Sequence, residues 1–330
     1  MATFPRRFSN GLLWPSLLLI AALVFAASQR EEQRPIRDQP LQWGLYQILW
    51  SKSYGEHLRK GIAKFSTSPD YVMFYRDLGR PFPKRPIDAI HSIGATPMVS
   101  LELWSWHGQH KGSYLPLIIR GDYDDFLRDW ARSAHKDGRR VLLRFGFEFN
   151  GDWFTWSHDP TAYISAWRHA HAIFRNEHAD NVEWVWSPNI VSCPDTRENR
   201  MHRYYPGDAF VNWVSLDGYN FGDHHDKWHH WESFEKIFHG PLRDFEKRYP
   251  SKPVILSEFG CAPGKGKQRE RWIREAHATL NRYPQVKAVI WFNLDKRREK
   301  EPDWRIDVTS DSLRVFNETF AAENGSPPAR

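Results

Sequence analysis

From Leu41 onward, short apolar runs of β-branched and aromatic residues alternate with longer amphipathic segments, and this alternation constrains the fold more than any other feature. The runs that read as strands are 42–47 (QWGLYQ), 70–75 (DYVMFY), 96–101 (TPMVSL), 140–147 (RVLLRFGF), 182–187 (VEWVWS), 211–217 (VNWVSLD), 253–257 (PVILS) and 286–292 (VKAVIWF). Near-continuous apolar runs suit strands buried on both faces. Between them, 122–137 (DYDDFLRDWARSAHKD) sets Phe126, Leu127, Trp130, Ala131 and Ala134 on one helical face with Asp122 as N-cap, and 268–282 (QRERWIREAHATLNR) reads as a second helix. Eight such units over residues 41–320 predict an α/β fold, a single closed (β/α)8 TIM barrel, better than a doubly wound sheet with a second domain. No Gly-rich loop follows the first strand. Dinucleotide and P-loop enzymes need backbone to approach phosphate at that turn, so its absence argues against both classes.

Of the 330 residues, 41% are hydrophobic and 26% charged, which excludes disorder, collagen and a multi-span membrane protein. The balance of 46 Lys+Arg against 40 Asp+Glu is positive, but the basic residues are scattered, and no nucleic-acid partner is expected. The 17 tryptophans exceed what core packing needs, so some are expected to line a surface that binds something flat. Cys193 and Cys261 are too few for a disulfide scaffold and lack zinc or redox spacing; one bridge or two free thiols both fit.

Arg6 and Arg7 precede an uncharged stretch from Ser9 to Gln29 whose centre, Leu12 to Ala27, is strongly apolar. Residues 1–28 therefore read as an export segment: a signal peptide cleaved near Ala26 and Ser28, or a retained signal anchor. The twin arginine lacks its usual flanking residues and reads as an ordinary basic n-region, and no lipobox cysteine follows. Positive charge ahead of the apolar run keeps the N-terminus cytoplasmic, so the barrel is expected to be secreted, periplasmic or anchored outside that membrane. Residues 29–40, polar with two prolines, read as a linker, and 321–330 as a disordered tail.

In a (β/α)8 barrel the active face lies at the carboxyl ends of the strands. Glu148 follows the fourth strand and Glu258 ends the seventh, so two glutamates point into one mouth. Retaining glycoside hydrolysis needs that pair: one carboxylic acid protonates the leaving oxygen while a carboxylate roughly 5–5.5 Å away attacks the anomeric carbon. Either glutamate alone could be half of an ordinary ion pair; two together amid tryptophans argue otherwise. Trp153, directly after Glu148, offers an indole to stack on a pyranose, and Asn189 offers a donor and an acceptor to sugar hydroxyls. Glu102, after the third strand, could accept from a hydroxyl and is the main rival carboxylate. Arg144 shares a strand and a side with Glu148 and is positioned to set its positive charge beside Glu258; its alternative role is a barrel-core ion pair.

The segment Arg144–Trp156 (RFGFEFNGDWFTW) resembles the acid/base segment of glycoside hydrolase family 26. Val185–Asn189 (VWSPN), Tyr205–Asn220 (YPGDAFVNWVSLDGYN), Ser257–Gly264 (SEFGCAPG) and Trp291–Arg305 (WFNLDK followed by DWR) are similar to that family's later segments, in order, and the likeness runs from about Trp43 to Phe316. The resemblance implies a clan A barrel with a retaining mechanism, Glu148 as general acid/base and Glu258 as nucleophile. It also implies that Tyr219 hydrogen-bonds the nucleophile and that Trp291 forms the floor under the reacting sugar; both could instead be rim packing. Mannanases of the family usually carry His immediately before the acid/base, where this chain has Phe147, so the substrate stays open among β-mannan, mixed-linkage β-glucan, xylan and an uncommon exopolysaccharide. The stretch 223–231 (DHHDKWHHW) is rich in metal-ligating residue types without an established ligand spacing. Paired carboxylates require no metal, and neither metal nor cofactor is expected. The expected partner is a polysaccharide, the expected state a monomer, and the activity that of an endo-β-1,4-mannanase or β-glucanase type glycosidase. A second reading is a catalytically vestigial polysaccharide-binding barrel in an export or surface-assembly system; intact Glu148 and Glu258 favour the enzyme.

Overall fold

The computed structural model describes residues 39–49, 54–224 and 229–322. The expected export segment, residues 29–38 of the linker and residues 323–330 of the tail lie outside the described residues.

All eight apolar runs form strands: β1 (Gln42–Tyr46), β2 (Tyr71–Asp77), β3 (Thr96–Glu102), β4 (Val141–Phe145), β5 (Val182–Trp186), β6 (Trp213–Asn220), β7 (Val254–Cys261) and β8 (Val286–Trp291). They pair in parallel in chain order, and β8 returns to β1 through Trp43↔Val289 and Gly44↔Ile290, closing the barrel. Successive side chains point to opposite faces of a strand, so each strand feeds two cores. Met73, Met98, Leu142, Val185, Ile255, Ala288 and Ile290 fill the barrel, whereas Val72, Val99, Leu143, Leu256 and Val289 face the helices. Gly44 keeps that wall thin, because a Cβ there would lie 2.6 Å from the Tyr71 carbonyl.

Among the described residues the α-helices are α1 (Tyr54–Ile62), α2 (Lys84–His91), α3 (Leu115–Arg120), α4 (Asp124–Asp137), α5 (Pro160–Asn176), α6 (Phe234–Arg248), α7 (Gln268–Leu280) and α8 (Ser310–Thr319). Among the described residues no α-helix lies between β5 and β6. The polar, proline-punctuated stretch there forms two 3-10 turns, Met201–Tyr204 and Asp208–Phe210, since it has no apolar stripe to bury. Helix α4 begins two residues later than the sequence reading placed it. Gly121, at φ +89°, ends α3 in a left-handed turn, Tyr123 takes the N-cap, and Asp122 pairs with Arg120 at 2.6 Å.

The tryptophan excess is largely spent on packing. Trp130, Trp156, Trp167, Trp186, Trp272, Trp291 and Trp304 are fully buried, and among the described tryptophans only Trp153 is strongly exposed, at 44%. Cys193 and Cys261 are both free thiols.

Candidate active site

Strand β4 ends at Phe145, two residues short of its expected end. Gly146 adopts φ +55°, where a Cβ would also sit 2.5 Å from Leu103 Cδ1, so only glycine fits. Glu148 follows at φ +49°, a left-handed position that costs a side-chain-bearing residue about 1–2 kcal/mol. Its amide donates to the Ser187 carbonyl at 2.8 Å, and the fully buried Asn150 ties the turn to the β5 loop through the Asn189 carbonyl (2.8 Å), the Val191 carbonyl (3.2 Å) and Ser192 Oγ (3.1 Å). Glu148 is thus held over the mouth by a braced kink.

Two donors meet the Glu148 carboxyl: Asn189 Nδ2 on Oε1 at 2.7 Å and Trp153 Nε1 on Oε2 at 2.7 Å. Burial, then the charge of Glu258, push its pKa up to about 7, against the opposing pull of Arg144, Asn189 and Trp153. Trp153 folds across Gly151, where a Cβ would lie 2.4 Å from the indole.

Glu258 lies 4% exposed on β7 and receives three donors. Tyr75 Oη and Arg144 Nη1 both reach Oε1 at 2.5 Å, and Tyr219 Oη reaches Oε2 at 2.5 Å. Arg144, fully buried, also donates to Ser100 Oγ at 3.0 Å, Ser187 Oγ at 2.9 Å and Asp217 Oδ2, while its guanidinium lies 4.0 Å over the Phe147 ring. One positive charge therefore faces two carboxylates. Burial works to lower the Arg144 pKa, and the Asp217 and Glu258 charges more than reverse it, so its net direction is upward. The Asp217 pKa is raised, chiefly by burial.

Glu102 ends β3 on the inward side and accepts from Trp106 Nε1 at 2.5 Å. Burial raises its pKa to about 7, with Asp77 and Glu258 adding to the effect.

The structure brings Glu102, Arg144, Glu148, Trp153, Asn189, Tyr219 and Glu258 to one mouth and leaves Trp291 out. Trp291 is fully buried on the helix side of β8, edge-on to Phe259 at 5.1 Å and Phe316 at 5.8 Å, with its Nε1 donating to the Trp304 carbonyl. Strand alternation is the reason: Ala288 and Ile290 point inward, so Trp291 must point outward and Phe292 takes the inward position, stacked 4.9 Å from Tyr46. Asn189 also differs from expectation, since its amide is engaged by Glu148 and, through Oδ1, by the Val191 N–H at 2.9 Å. Sequence reasoning missed Tyr75, Asn150 and Asp217. The alternation Tyr71, Met73, Tyr75 would have pointed Tyr75 inward, and an aspartate within the apolar run of β6 was itself a signal.

In the 223–231 stretch, residues 225–228 lie outside the described residues. His229 stacks on Phe221 at 4.3 Å and Asp223 pairs with Lys265 at 3.0 Å.

The chain itself has known relatives. The profile described as Glycosyl hydrolase family 26 matches residues 112–243, which hold Glu148 and its braced turn. Endoglucanase H of Acetivibrio thermocellus is 30% identical over 249 residues, covering 73% of this chain. The chain belongs to glycosyl hydrolase family 26.

Another relative, the mannan endo-1,4-beta-mannosidase A and B of Caldalkalibacillus mannanilyticus, is 33% identical over 113 residues, 31% of this chain. The chain spans 26% of the length of the first relative and 21% of the second. A solved family 26 β-mannanase from Bacteroides ovatus superposes with a TM-score of 0.61 at 19% identity over 88% of this chain and 90% of that one, a likeness of fold.

Proposed function

We propose that this family 26 chain is a retaining glycosidase that hydrolyses β-linked polysaccharide by double displacement, with Glu148 as general acid/base and Glu258 as nucleophile. The observation that carries the reading is the opposite treatment of two glutamates in one mouth. Glu148 is held near pKa 7 by burial and so keeps a proton to donate, whereas Glu258 sits against a guanidinium and two phenols that donate to a carboxylate.

In the first step Glu258 attacks the anomeric carbon as the C–O bond to the leaving sugar breaks, and the Glu148 proton passes to that leaving oxygen. In the second, water attacks the same carbon, gives a proton to Glu148 and returns the bonding pair to Glu258. Every proton and electron pair is carried by the two carboxylates, water and substrate. Trp153, exposed and tethered to Glu148 by its indole N–H, offers an apolar face to the sugar beside the leaving oxygen. Glu102, Tyr219 and Arg144 complete the binding mouth.

The named activities of the relatives, an endoglucanase and a mannan endo-1,4-beta-mannosidase, support β-glucan or β-mannan as the substrate class, with a related exopolysaccharide as the further candidate. Phe147, packed at 5.1 Å against Phe154 and under Arg144, has no hydrogen bond to offer a sugar, which favours a glucan over a mannan. With the export segment read from residues 1–28, the barrel would meet such polymers outside the cytoplasm, as a monomer.

The test is reducing-end release from mannans, mixed-linkage glucan, xylans and acidic exopolysaccharides, with Glu258→Ala in parallel. Activity on one polymer that vanishes in the variant is expected. Wild-type-like turnover in the variant would sink the assignment, and binding without turnover by the wild type would favour the polysaccharide-binding alternative.

A further inference from the structure

The three donors on Glu258 are distributed unevenly. A carboxylate oxygen offers two in-plane acceptor directions. On Oε1 both are taken, by Tyr75 Oη and Arg144 Nη1 at 2.5 Å each, while among the described residues Oε2 accepts from Tyr219 Oη alone. Among the described residues, then, the free acceptor direction for a substrate lies on Oε2.

We infer that Oε2 is the oxygen that bonds to the anomeric carbon and that Tyr75 is a positioning residue which, with Arg144, withholds Oε1 from attack. This deepens the two-glutamate reading and rests on it. In the glycosylation step the C–Oε2 bond forms as the bond to the leaving oxygen breaks, with the Glu148 proton following the leaving group. Oε1 becomes the ester carbonyl, still hydrogen-bonded by the phenol and the guanidinium. When water then displaces the carboxylate, negative charge returns to both oxygens, and the two donors on Oε1 stabilise it as it develops. Tyr75 therefore assists both steps through Glu258 and makes no use of the leaving group.

The position of Tyr75 is built for this. It stands on β2 in register with Ser100 of β3, another Arg144 partner, and its ring is wedged between Tyr46 at 5.1 Å and Phe147 at 5.4 Å. Those two rings fix the direction of the hydroxyl. Burial and the Glu258 charge raise the phenol pKa well above 10, so it stays a donor throughout the working range.

The test compares Tyr75→Phe, Glu148→Ala and Glu258→Ala in the full chain, on the polymer that the wild type hydrolyses and on an aryl glycoside of the same sugar with a good leaving group. Tyr75→Phe keeps the ring packing, and is expected to lower kcat by about 10- to 100-fold on both substrates with KM within twofold and an unchanged melting temperature. Glu148→Ala is expected to recover its glycosylation step on the aryl glycoside, which needs no proton, and Tyr75→Phe is not. A kcat within twofold of wild type in Tyr75→Phe, beside a dead Glu258→Ala, would overturn this inference alone. A fall in kcat confined to the polymer would do the same, because it would tie Tyr75 to substrate binding. Full turnover by Glu258→Ala, or none by the wild type on any polymer, would overturn the two-glutamate reading and this inference with it.

Discussion

Two carboxyl groups of the same residue type are made unlike by what surrounds them. Glu148 has neutral donors and deep burial; Glu258 has a guanidinium. With Glu148 in the proposed role of general acid, activity should fall as pH rises through about 7, where its carboxyl loses its proton. The Asn189 hydrogen bond lowers the Glu148 pKa, so Asn189→Ala should raise it and move the alkaline limb of the pH–kcat profile to higher pH; a limb that stays in place or moves down would detach Asn189 from Glu148. The same shift bears on stability. A carboxyl raised from 4.5 to about 7 on folding stays protonated in the native state while the unfolded chain ionises, so native stability is lost as pH rises across that interval, by up to about 3 kcal/mol. The melting temperature of Glu148→Gln relative to wild type should accordingly improve between about pH 5 and pH 8. At the rim, Trp153→Ala should raise KM or lower kcat on long substrates by roughly tenfold while leaving the fold intact, which steady-state kinetics and circular dichroism would check.

At the scale of the elements, strand alternation and one left-handed glycine decide which side chains reach the mouth. Gly146 turns β4 so that Glu148 leaves the strand line braced by Asn150. Gly146→Ala must accommodate both φ +55° and a Cβ 2.5 Å from Leu103, and should cost roughly 2 kcal/mol or more together with most of the activity. Chemical denaturation and turnover measure the two effects. On β8 the alternation puts Trp291 into the helix-side core. Trp291→Ala is therefore expected to lose about 3–5 kcal/mol of stability, with KM of the surviving folded fraction unchanged. A raised KM without loss of stability would return Trp291 to the sugar site.

For the molecule as a whole, closure of the barrel gathers groups from all around the chain at a single point: β2 brings Tyr75, β4 Arg144, β6 Asp217 and Tyr219, and β7 Glu258. The two mouth glutamates, Glu148 and Glu258, are 110 residues apart in sequence, and Arg144, on the strand that leads to Glu148, contacts Glu258 directly. The two cysteines were left open between a bridge and free thiols, and the fold keeps them free, with Cys193 against Asp152 at 3.2 Å in a loop and Cys261 sealed at the end of β7. Burial pushes the Cys261 thiol up to about 12. Thiol titration should find one slowly reacting group in the native protein and two after denaturation.

The apolar runs and their spacing determined the eight strands, their parallel order and the barrel, because strands buried on both faces leave a continuous hydrophobic signature. The same reading placed Glu148 and Glu258 at the mouth, since strand ends map directly onto the active face of a closed barrel. Where alternation was not applied residue by residue, the reading failed: Trp291 was assigned to the wrong side, and Tyr75, two residues beyond an inward methionine, went unnoticed. What only the tertiary structure decided is who touches whom. Asn189 is engaged by Glu148, Asp217 shares Arg144 with Glu258, and Tyr75 closes one oxygen of Glu258. Those contacts join residues 41 to 183 positions apart, and the low-dielectric setting that moves Glu148 to about 7 exists only once the barrel has closed around it.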